Sequence, residues 1–222
     1  MSTCADVVAS TLREAGIEIV FGLPGGEILD FMEAARRAGI RFLLVRHEST
    51  AAFMADVSGQ IQRRPGVCVS TLGPGAVNMT LGIANAYLDR SPVLAITASM
   101  ATASAPYATH QQLDLNAVYR PFTKAALTLD GIDTRDKVRA AIATATAQRM
   151  GPVHIAVPSD VARGPETEPP ELAPRAPQSA PRTPPPAPRE PLDAIAAALR
   201  QSRRPVLIVG LDVDPIADTA SV

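Results

Sequence analysis

The sequence carries almost no excess charge. Its 222 residues hold 21 Lys and Arg against 22 Asp and Glu, a formal net charge of −1. Without a basic surplus, attraction to nucleic acid or to an anionic membrane cannot be the main source of affinity. No apolar run approaches the roughly 20 residues needed to cross a bilayer. The start, Met1-Ser2-Thr3-Cys4-Ala5-Asp6, lacks the basic stretch of a secretory signal, and Asp6, Arg13 and Glu14 interrupt its apolar part. Two cysteines, Cys4 and Cys68, are too few for a disulfide framework or a metal quartet. These absences point to a soluble, cytoplasmic protein with neither nucleic acid nor membrane as partner. What is present is 46% hydrophobic residues, enough to bury the core of one or two domains.

Proline is unevenly spread, with 11 of the 21 falling between Pro165 and Pro191. A segment so rich in proline cannot propagate a helix or a sheet ladder, so it reads as a semi-rigid linker or a disordered tract. Either reading places a boundary there. The expected organisation is a first domain over residues 1–163, a linker over 164–191, and the start of a second α/β domain over 192–222.

The first domain alternates helix and strand signals. Ser2 or Thr3 is placed to cap a helix with Val7, Val8 and Leu12 on its apolar face, closed by Gly16. Strands are expected at Ile17 to Phe21, Arg41 to His47, Val67 to Leu72, Pro92 to Ala98, Lys124 to Leu129 and Val153 to Pro158. Helices are expected at Glu27 to Ala38, Ser49 to Arg64, Ala76 to Leu88 and Thr134 to Arg149. Short strands separated by helices of roughly 10–15 residues imply an α/β fold, a doubly wound parallel sheet with helices on both faces. Ligands bind such sheets at the carboxyl ends of the strands. Those ends carry the turn Gly22 to Gly26, the triplet Arg46-His47-Glu48, the turn Gly73-Pro74-Gly75 and the loop from Ser99 to Asn116.

Neither glycine-rich turn is a dinucleotide fingerprint, which needs glycine at its first, third and sixth positions. The turn at Gly22 has Pro24 and Glu27 at the last two, and the turn at Gly73 reaches Asn78. Neither continues into the Gly-Lys-Ser or Gly-Lys-Thr of a phosphate loop.

The run Phe21-Gly22-Leu23-Pro24-Gly25-Gly26, then Arg46-His47-Glu48, then Thr71-Leu72-Gly73-Pro74-Gly75-Ala76-Val77-Asn78 resembles the N-terminal, pyrimidine-binding domain of thiamine diphosphate enzymes. His110-Gln111-Gln112-Leu113-Asp114, Pro121-Phe122-Thr123-Lys124 and the run Gly151 to Val161 are similar to the acetolactate synthase branch. The resemblance covers residues 1 to about 163.

It implies thiamine diphosphate as cofactor, a small 2-oxo acid as substrate, and decarboxylation followed by carboligation. Glu48 would be the catalytic residue, hydrogen-bonded to the pyrimidine ring nitrogen. A carboxyl there must hold and share a proton, the task of a general acid–base group. Pro24, Gly25, Thr71, Gly73, Pro74, Gly75, Asn78 and Gln111 would bind the cofactor, with Gly75 allowing close approach of a flat ring. Gly26 and Gln111 would face the substrate. Decarboxylases of the pyruvate type carry an acidic residue at the place of Gly26 and a His-His pair. Here the three histidines, His47, His110 and His154, are separated, which favours synthase-like chemistry. His154, in a strand, reads as structural, and His47 as a residue behind the site.

Leu72 stands where the synthases have a small residue, and Ser99-Met100 replaces their Gly-Gln; the substrate and any bound FAD stay open at this point. The family holds Mg2+ and the diphosphate through a separate domain marked by Gly-Asp-Gly and a later Asn-Asn pair, and the sequence contains neither. No metal ligand is therefore assigned here, and the chain reads as the N-terminal part of a longer polypeptide, inactive alone. The resemblance also implies a homodimer or homotetramer. The alternatives are a non-catalytic α/β remnant serving oligomerisation or regulation, and a lyase acting on an aromatic 2-oxo acid or an acyl-CoA.

Overall fold

The computed structural model describes residues 2–167, 188–206, 208 and 210, and the chain divides into two compact units, Met1–Ala173 and Pro174–Val222. In the first unit α1 (Cys4–Glu14) starts from a capping box. The Asp6 N–H donates to Thr3 Oγ1 at 3.1 Å, and the Thr3 N–H donates to Asp6 Oδ2 at 3.1 Å. Gly16, at φ +81°, turns the chain out of the helix. There follow β1 (Ile19–Leu23), a 3-10 turn (Gly26–Ile28), α2 (Leu29–Arg37), β2 (Arg41–Leu44), α3 (Glu48–Gln62) and β3 (Gly66–Ser70). Then come α4 (Pro74–Asn78), α5 (Thr80–Leu88), β4 (Val93–Ser99), α6 (Leu115–Tyr119) and a second 3-10 turn (Arg120–Phe122). The unit continues with β5 (Ala125–Thr128), α7 (Thr134–Thr146), β6 (Val153–Pro158) and α8 (Ser159–Arg163).

The six strands form one all-parallel sheet in the order β2-β1-β3-β4-β6-β5. Its central strands are buried on both faces, as their unbroken apolar runs require. Val67, Val69, Leu94, Ile96 and Ile155 face one core with α1, α2, α7 and α8. Cys68, Val93 and Ala95, one residue out of phase, face the other with Ala51, Ala52 and Ala55 of α3 and Ile83 of α5. That alternation is the two-residue strand period read directly as two layers.

On the second face the helices lie close, because the contacts are made by residues with little or no side chain. A Cβ on Gly66 would fall 1.9 Å from the Ala55 carbonyl oxygen, and one on Gly82 2.6 Å from Ala52 Cβ.

Several elements depart from the expected bounds for identifiable reasons. β1 begins and ends two residues later than expected, because Gly22 is a strand residue and not part of the turn. Its missing side chain admits the Val69 carbonyl and the Phe42 ring, which would stand 2.5 and 2.8 Å from a Cβ. β2 ends at Leu44, three residues short of His47. The helix expected from Ala76 to Leu88 is two helices that meet at Met79, where the N–H bonds three residues back to Ala76 O at 3.2 Å. α6, α8 and the second 3-10 turn had no apolar period long enough to announce them.

Residues 168–187 of the expected linker lie outside the described residues. Its first residues still pair with the first unit: the Cys4 N–H donates to Gly164 O and the Thr167 N–H to Gly131 O, both at 2.9 Å. Glu166 Oε1 accepts from the Thr134 N–H at 2.7 Å, supplying the α7 cap that Asp133 does not. In the second unit α9 (Arg189–Gln201) sets Leu192, Ile195 and Leu199 on one exposed face. Within the expected start of a second α/β domain, 192–222, residues 204–206, 208 and 210 are not in a strand, and 207, 209 and 211–222 lie outside the described residues.

His154 is fully buried in β6. It stacks on Tyr119 with ring centroids 4.1 Å apart, bonds Thr97 Oγ1 through Nε2 at 2.9 Å, and bonds Asn116 Oδ1 through Nδ1 at 3.1 Å. It is structural, as its strand position suggested. Burial pushes its imidazole down to about 3, against roughly 6.5 for an unfolded histidine. Unfolding therefore takes up a proton below pH 6.5. The stability that the neutral ring contributes is complete above that value and falls as pH drops toward 3, by up to about 1.4 kcal/mol per pH unit. Urea unfolding between pH 7 and pH 5 measures the slope, and His154→Gln should flatten it.

Candidate functional site

Sheet order reverses beside β1: the chain steps to β2 on one side and returns to β3 on the other. Loops leaving the carboxyl ends at such a point part in opposite directions and leave a crevice. The residues expected there converge on it from three turns.

Glu48 is the first residue of α3, and His47 is its N-cap, with Nδ1 accepting from the Ser49 N–H at 3.2 Å. Glu48 is only 6% exposed, although it is a carboxylate. A buried carboxylate needs donors, and Asn78 Nδ2 donates to Glu48 Oε2 at 2.9 Å. The other oxygen, Oε1, looks over Gly75, where a Cβ would stand 3.0 Å away. α4 carries both Gly75 and Asn78 and opens with Pro74 at its first position, after Gly73 in the left-handed region at φ +62°. Gly73 is pressed by Gln111, whose Cβ would lie 2.6 Å from an added one. Gln111 thus reaches the crevice with its backbone and Cβ, at φ +56°, while its side chain is exposed.

Thr71, between β3 and Gly73, is clasped by the first turn: a Cβ on Gly25 would fall 2.5 Å from Thr71 Oγ1. Thr71 Oγ1 donates to Glu27 Oε2 at 2.8 Å. Pro24 is half-buried at the entrance to that turn, and Gly26 is exposed, with nothing within 4 Å of where its Cβ would be. Glu27 is the crevice residue that sequence reasoning missed. The available signal was an acidic residue directly after a glycine pair at a strand end.

Residues 2–118, more than half of the chain, match the family described as thiamine pyrophosphate enzyme, N-terminal TPP binding domain. The chain belongs to the thiamine pyrophosphate enzymes. It is 36% identical over 208 residues to a probable acetolactate synthase large subunit of Methanocaldococcus jannaschii, an alignment covering 93% of this chain and 35% of that one. It is 33% identical to the catabolic acetolactate synthase of Raoultella terrigena, covering 93% and 36%, and 33% identical to a probable 2-ketoarginine decarboxylase of Pseudomonas aeruginosa, covering 94% and 37%. The chain thus spans about a third of the length of these relatives.

Within this thiamine pyrophosphate-binding domain, the two departures from the synthase pattern fall in different places. Leu72 is buried in the core on the α1 side of the sheet and does not enter the crevice. Ser99 and Met100 line a separate cavity of about 310 Å³ at the carboxyl ends of β4 and β6, with Thr102, Gln112, Asn116 and Thr128. The neighbour of Gln111, and not Gln111 itself, faces that cavity. Among the described residues no group of three or more His, Cys, Asp or Glu side chains is placed to hold a metal ion, and no helix is long and apolar enough to cross a membrane.

Asn78 and Glu48 should be energetically coupled. Removing the amide with Asn78→Ala strips a donor from a buried carboxylate and should cost about 1–3 kcal/mol. In a double-mutant cycle with Glu48→Gln, followed by urea unfolding, the losses should be less than additive by about 1 kcal/mol or more. Strict additivity would mean that the 2.9 Å contact carries no energy.

Proposed function

We propose that this chain supplies the aminopyrimidine side of a thiamine diphosphate site, in an enzyme that decarboxylates a 2-oxo acid and joins the remainder to a second carbonyl, as the name acetolactate synthase describes. The observation that carries this reading is the buried Glu48, with one oxygen tied to Asn78 and the other facing the bare backbone of Gly75.

The residues present fit a flat, hydrogen-bonding ring. Gly75 leaves open the approach that any side chain would fill, the exposed Pro74 offers an apolar surface, and Gly73 and Gly25 hold the two turns against Gln111 and Thr71. Bound thiamine diphosphate supplies an acidic carbon whose conjugate base attacks the substrate carbonyl. Glu48 holds a proton at the ring nitrogen and shares it there, Asn78 fixes the carboxyl, and Gln111 and Gly26 border the substrate. The diphosphate and its Mg2+ are assigned to protein outside these residues, so the 222-residue chain would bind the ring end without turning over substrate.

Decarboxylation without ligation is a second reading, supported by the relative named a probable 2-ketoarginine decarboxylase and by the carboxylate that Glu27 brings beside Gly26. Analysis of the product separates the two: a hydroxy-ketone for ligation, an aldehyde for simple decarboxylation.

A homodimer is part of the proposal. Phe53, Val57 and Ile61 form one exposed stripe on α3, and Leu81 and Leu88 stand exposed on the neighbouring α5. Apolar area of this kind is characteristic of a surface that another chain covers. A second copy satisfies both stripes through a two-fold axis. Two buried free thiols, Cys4 and Cys68, accord with a cytoplasmic setting.

In the complete enzyme Glu48→Gln should lower turnover by about 100-fold or more, the range for loss of a proton-handling group, with the melting temperature nearly unchanged. Undiminished turnover would remove Glu48 from its role. Sedimentation should show an assembly larger than a monomer, and Val57→Glu combined with Leu81→Glu should dissociate it while circular dichroism stays constant; an assembly that survives both charges would place the contact elsewhere.

A further inference from the structure

Glu48 owes its place to the residue before it. His47 is the N-cap of α3, with extended backbone at φ −153° and ψ 137°, and its carbonyl accepts from the Thr50 N–H at 3.0 Å. Its Nδ1 accepts from the Ser49 N–H at 3.2 Å and lies 2.8 Å from Ser49 Oγ. A backbone N–H only donates, so Nδ1 must offer its lone pair and the ring proton sits on Nε2. The geometry therefore requires a neutral imidazole. Ring and carbonyl together hold the turn that Glu48 opens, where a helix has no partners of its own for its first N–H groups.

That hold matters because little else fixes Glu48. Among the described residues its carboxyl makes one side-chain hydrogen bond, from Asn78 at 2.9 Å. At α1 and α6 the capping side chains are Thr3 and Asp114, and neither residue type changes charge near neutral pH. The cap beside Glu48 is instead a histidine, the side chain that ordinarily titrates between about pH 5 and 8, and it stands exposed to solvent. The charged groups beside it in the chain are Arg46 and Glu48. The elements packed against α3, namely α4, α5, β1, β3 and β4, carry no Asp, Glu, Lys, Arg or His, and their titratable side chains are Cys68 and Tyr87. On the turn after β1, Glu27 is engaged by Thr71. Among the described residues no ion pair joins His47 to a carboxylate that would favour its charged form.

We infer that His47 is a positioning residue for Glu48 that acts only while its ring is neutral, so that acid undoes the first turn of α3 and displaces the proton-handling carboxyl. This rests on the reading of Glu48 as the carboxyl that meets the aminopyrimidine, and names how that same site responds to pH. Protonation puts a hydrogen on Nδ1, and that hydrogen faces the Ser49 N–H, donor against donor. Ser49 Oγ can still accept from it, but the N–H is left without a partner. The new positive charge also stands at the positive end of the helix dipole. Both effects oppose the cap. It is whole on the alkaline side of the imidazole titration and is lost as pH falls through it. Asparagine caps a helix and carries no charge, which separates the cap from its titration.

The test uses the complete enzyme and follows the helix and the reaction separately. Without cofactor, amide hydrogen exchange across the first turn of α3, corrected for intrinsic rates, is measured by mass spectrometry at about pH 8 and about pH 5.5, either side of an ordinary imidazole titration. Protection in the parent should fall by about fivefold or more, His47→Asn should hold it at both values, and His47→Ala should lack it at both. With thiamine diphosphate and Mg2+ bound, the kcat of His47→Asn divided by that of the parent should rise by about fivefold over the same range. A ratio that stays constant while exchange responds would leave His47 a cap and overturn its hold on Glu48. Exchange indifferent to both pH and His47→Ala would overturn the cap itself. If Glu48→Gln, assayed alongside, turned over substrate as fast as the parent, the reading of the site would fall instead, whatever the exchange showed.

Discussion

The closeness with which α3 lies on the sheet decides what the crevice can be. Two glycines set that distance, and a third, Gly82 on α5, sets how closely α5 lies against α3. Gly66 sits under Ala55 O, Gly59 under Pro92 O, with a Cβ 2.3 Å from that oxygen, and Gly82 under Ala52. Each gap is below the contact distance of a methyl group, so any side chain there must lift the helix. Glu48 is the first residue of the same helix, and a rigid helix carries its end with it. A lift of about 1 Å would stretch the 2.9 Å bond from Asn78 beyond hydrogen-bonding range. Burying Glu48 without its donor would then cost more than the bond itself contributes. The packing of small residues in the core and the chemistry at the strand ends are therefore one constraint.

The opposite wall is held from the other side of the sheet's switch. Tyr119 is fully buried and donates its hydroxyl to Ala76 O at 2.5 Å, which ties α6 to the helix that carries Gly75 and Asn78. Burial pushes the phenol up, so it remains a donor across ordinary pH. Its ring lies flat on His154, whose two nitrogens are taken by Thr97 and Asn116, and Asn116 passes the chain on to Thr128. The buried members, Tyr119, His154 and Thr97, are each hydrogen-bonded, and that specifies one arrangement, because rotating any of them leaves an orphan in a low-dielectric interior. The loop between β4 and α6, which has no regular structure of its own, is anchored by this run at one end and by the carboxylate of Asp160 on the Thr102 N–H at the other.

Strands and long helices were legible because burial on both faces and the helical period are written into local composition. Val67-Cys68-Val69 and Val93-Leu94-Ala95-Ile96 announce a central parallel sheet, and Thr3 with Asp6 announces the first helix. Glu48, Asn78, Thr71, Gly73 and Gly75 were legible through motif order, and they do converge. What stayed hidden depends on contacts distant in sequence. Gly22 read as a turn residue, since nothing local says that Phe42 and Val69 need its missing side chain. The break at Met79 has no glycine or proline to mark it. Gln111 was legible as a neighbour of the crevice, yet its exposed side chain and the turn of Gln112 toward the β4–β6 cavity are matters of loop geometry. Glu27 was invisible as a site residue for the same reason: its role comes from Thr71, 44 positions away.

The charges at the crevice also set the direction in which a thiamine diphosphate would lie. Glu27 and Glu48 have no cationic partner among the described residues. At an effective dielectric constant near 20, a carboxylate and a phosphate oxygen about 8 Å apart repel by about 2 kcal/mol. Two carboxylates acting on a doubly charged group would multiply that penalty. On the proposed reading the diphosphate would be held by countercharge outside these strand ends, and the aminopyrimidine would be the end that Glu48 and Gly75 receive. A chain with a net charge of −1 and no metal cluster among its described residues can thus be selective for such a cofactor. It would recognise the ring through Glu48 and Gly75 and leave the anionic end to groups outside the described residues.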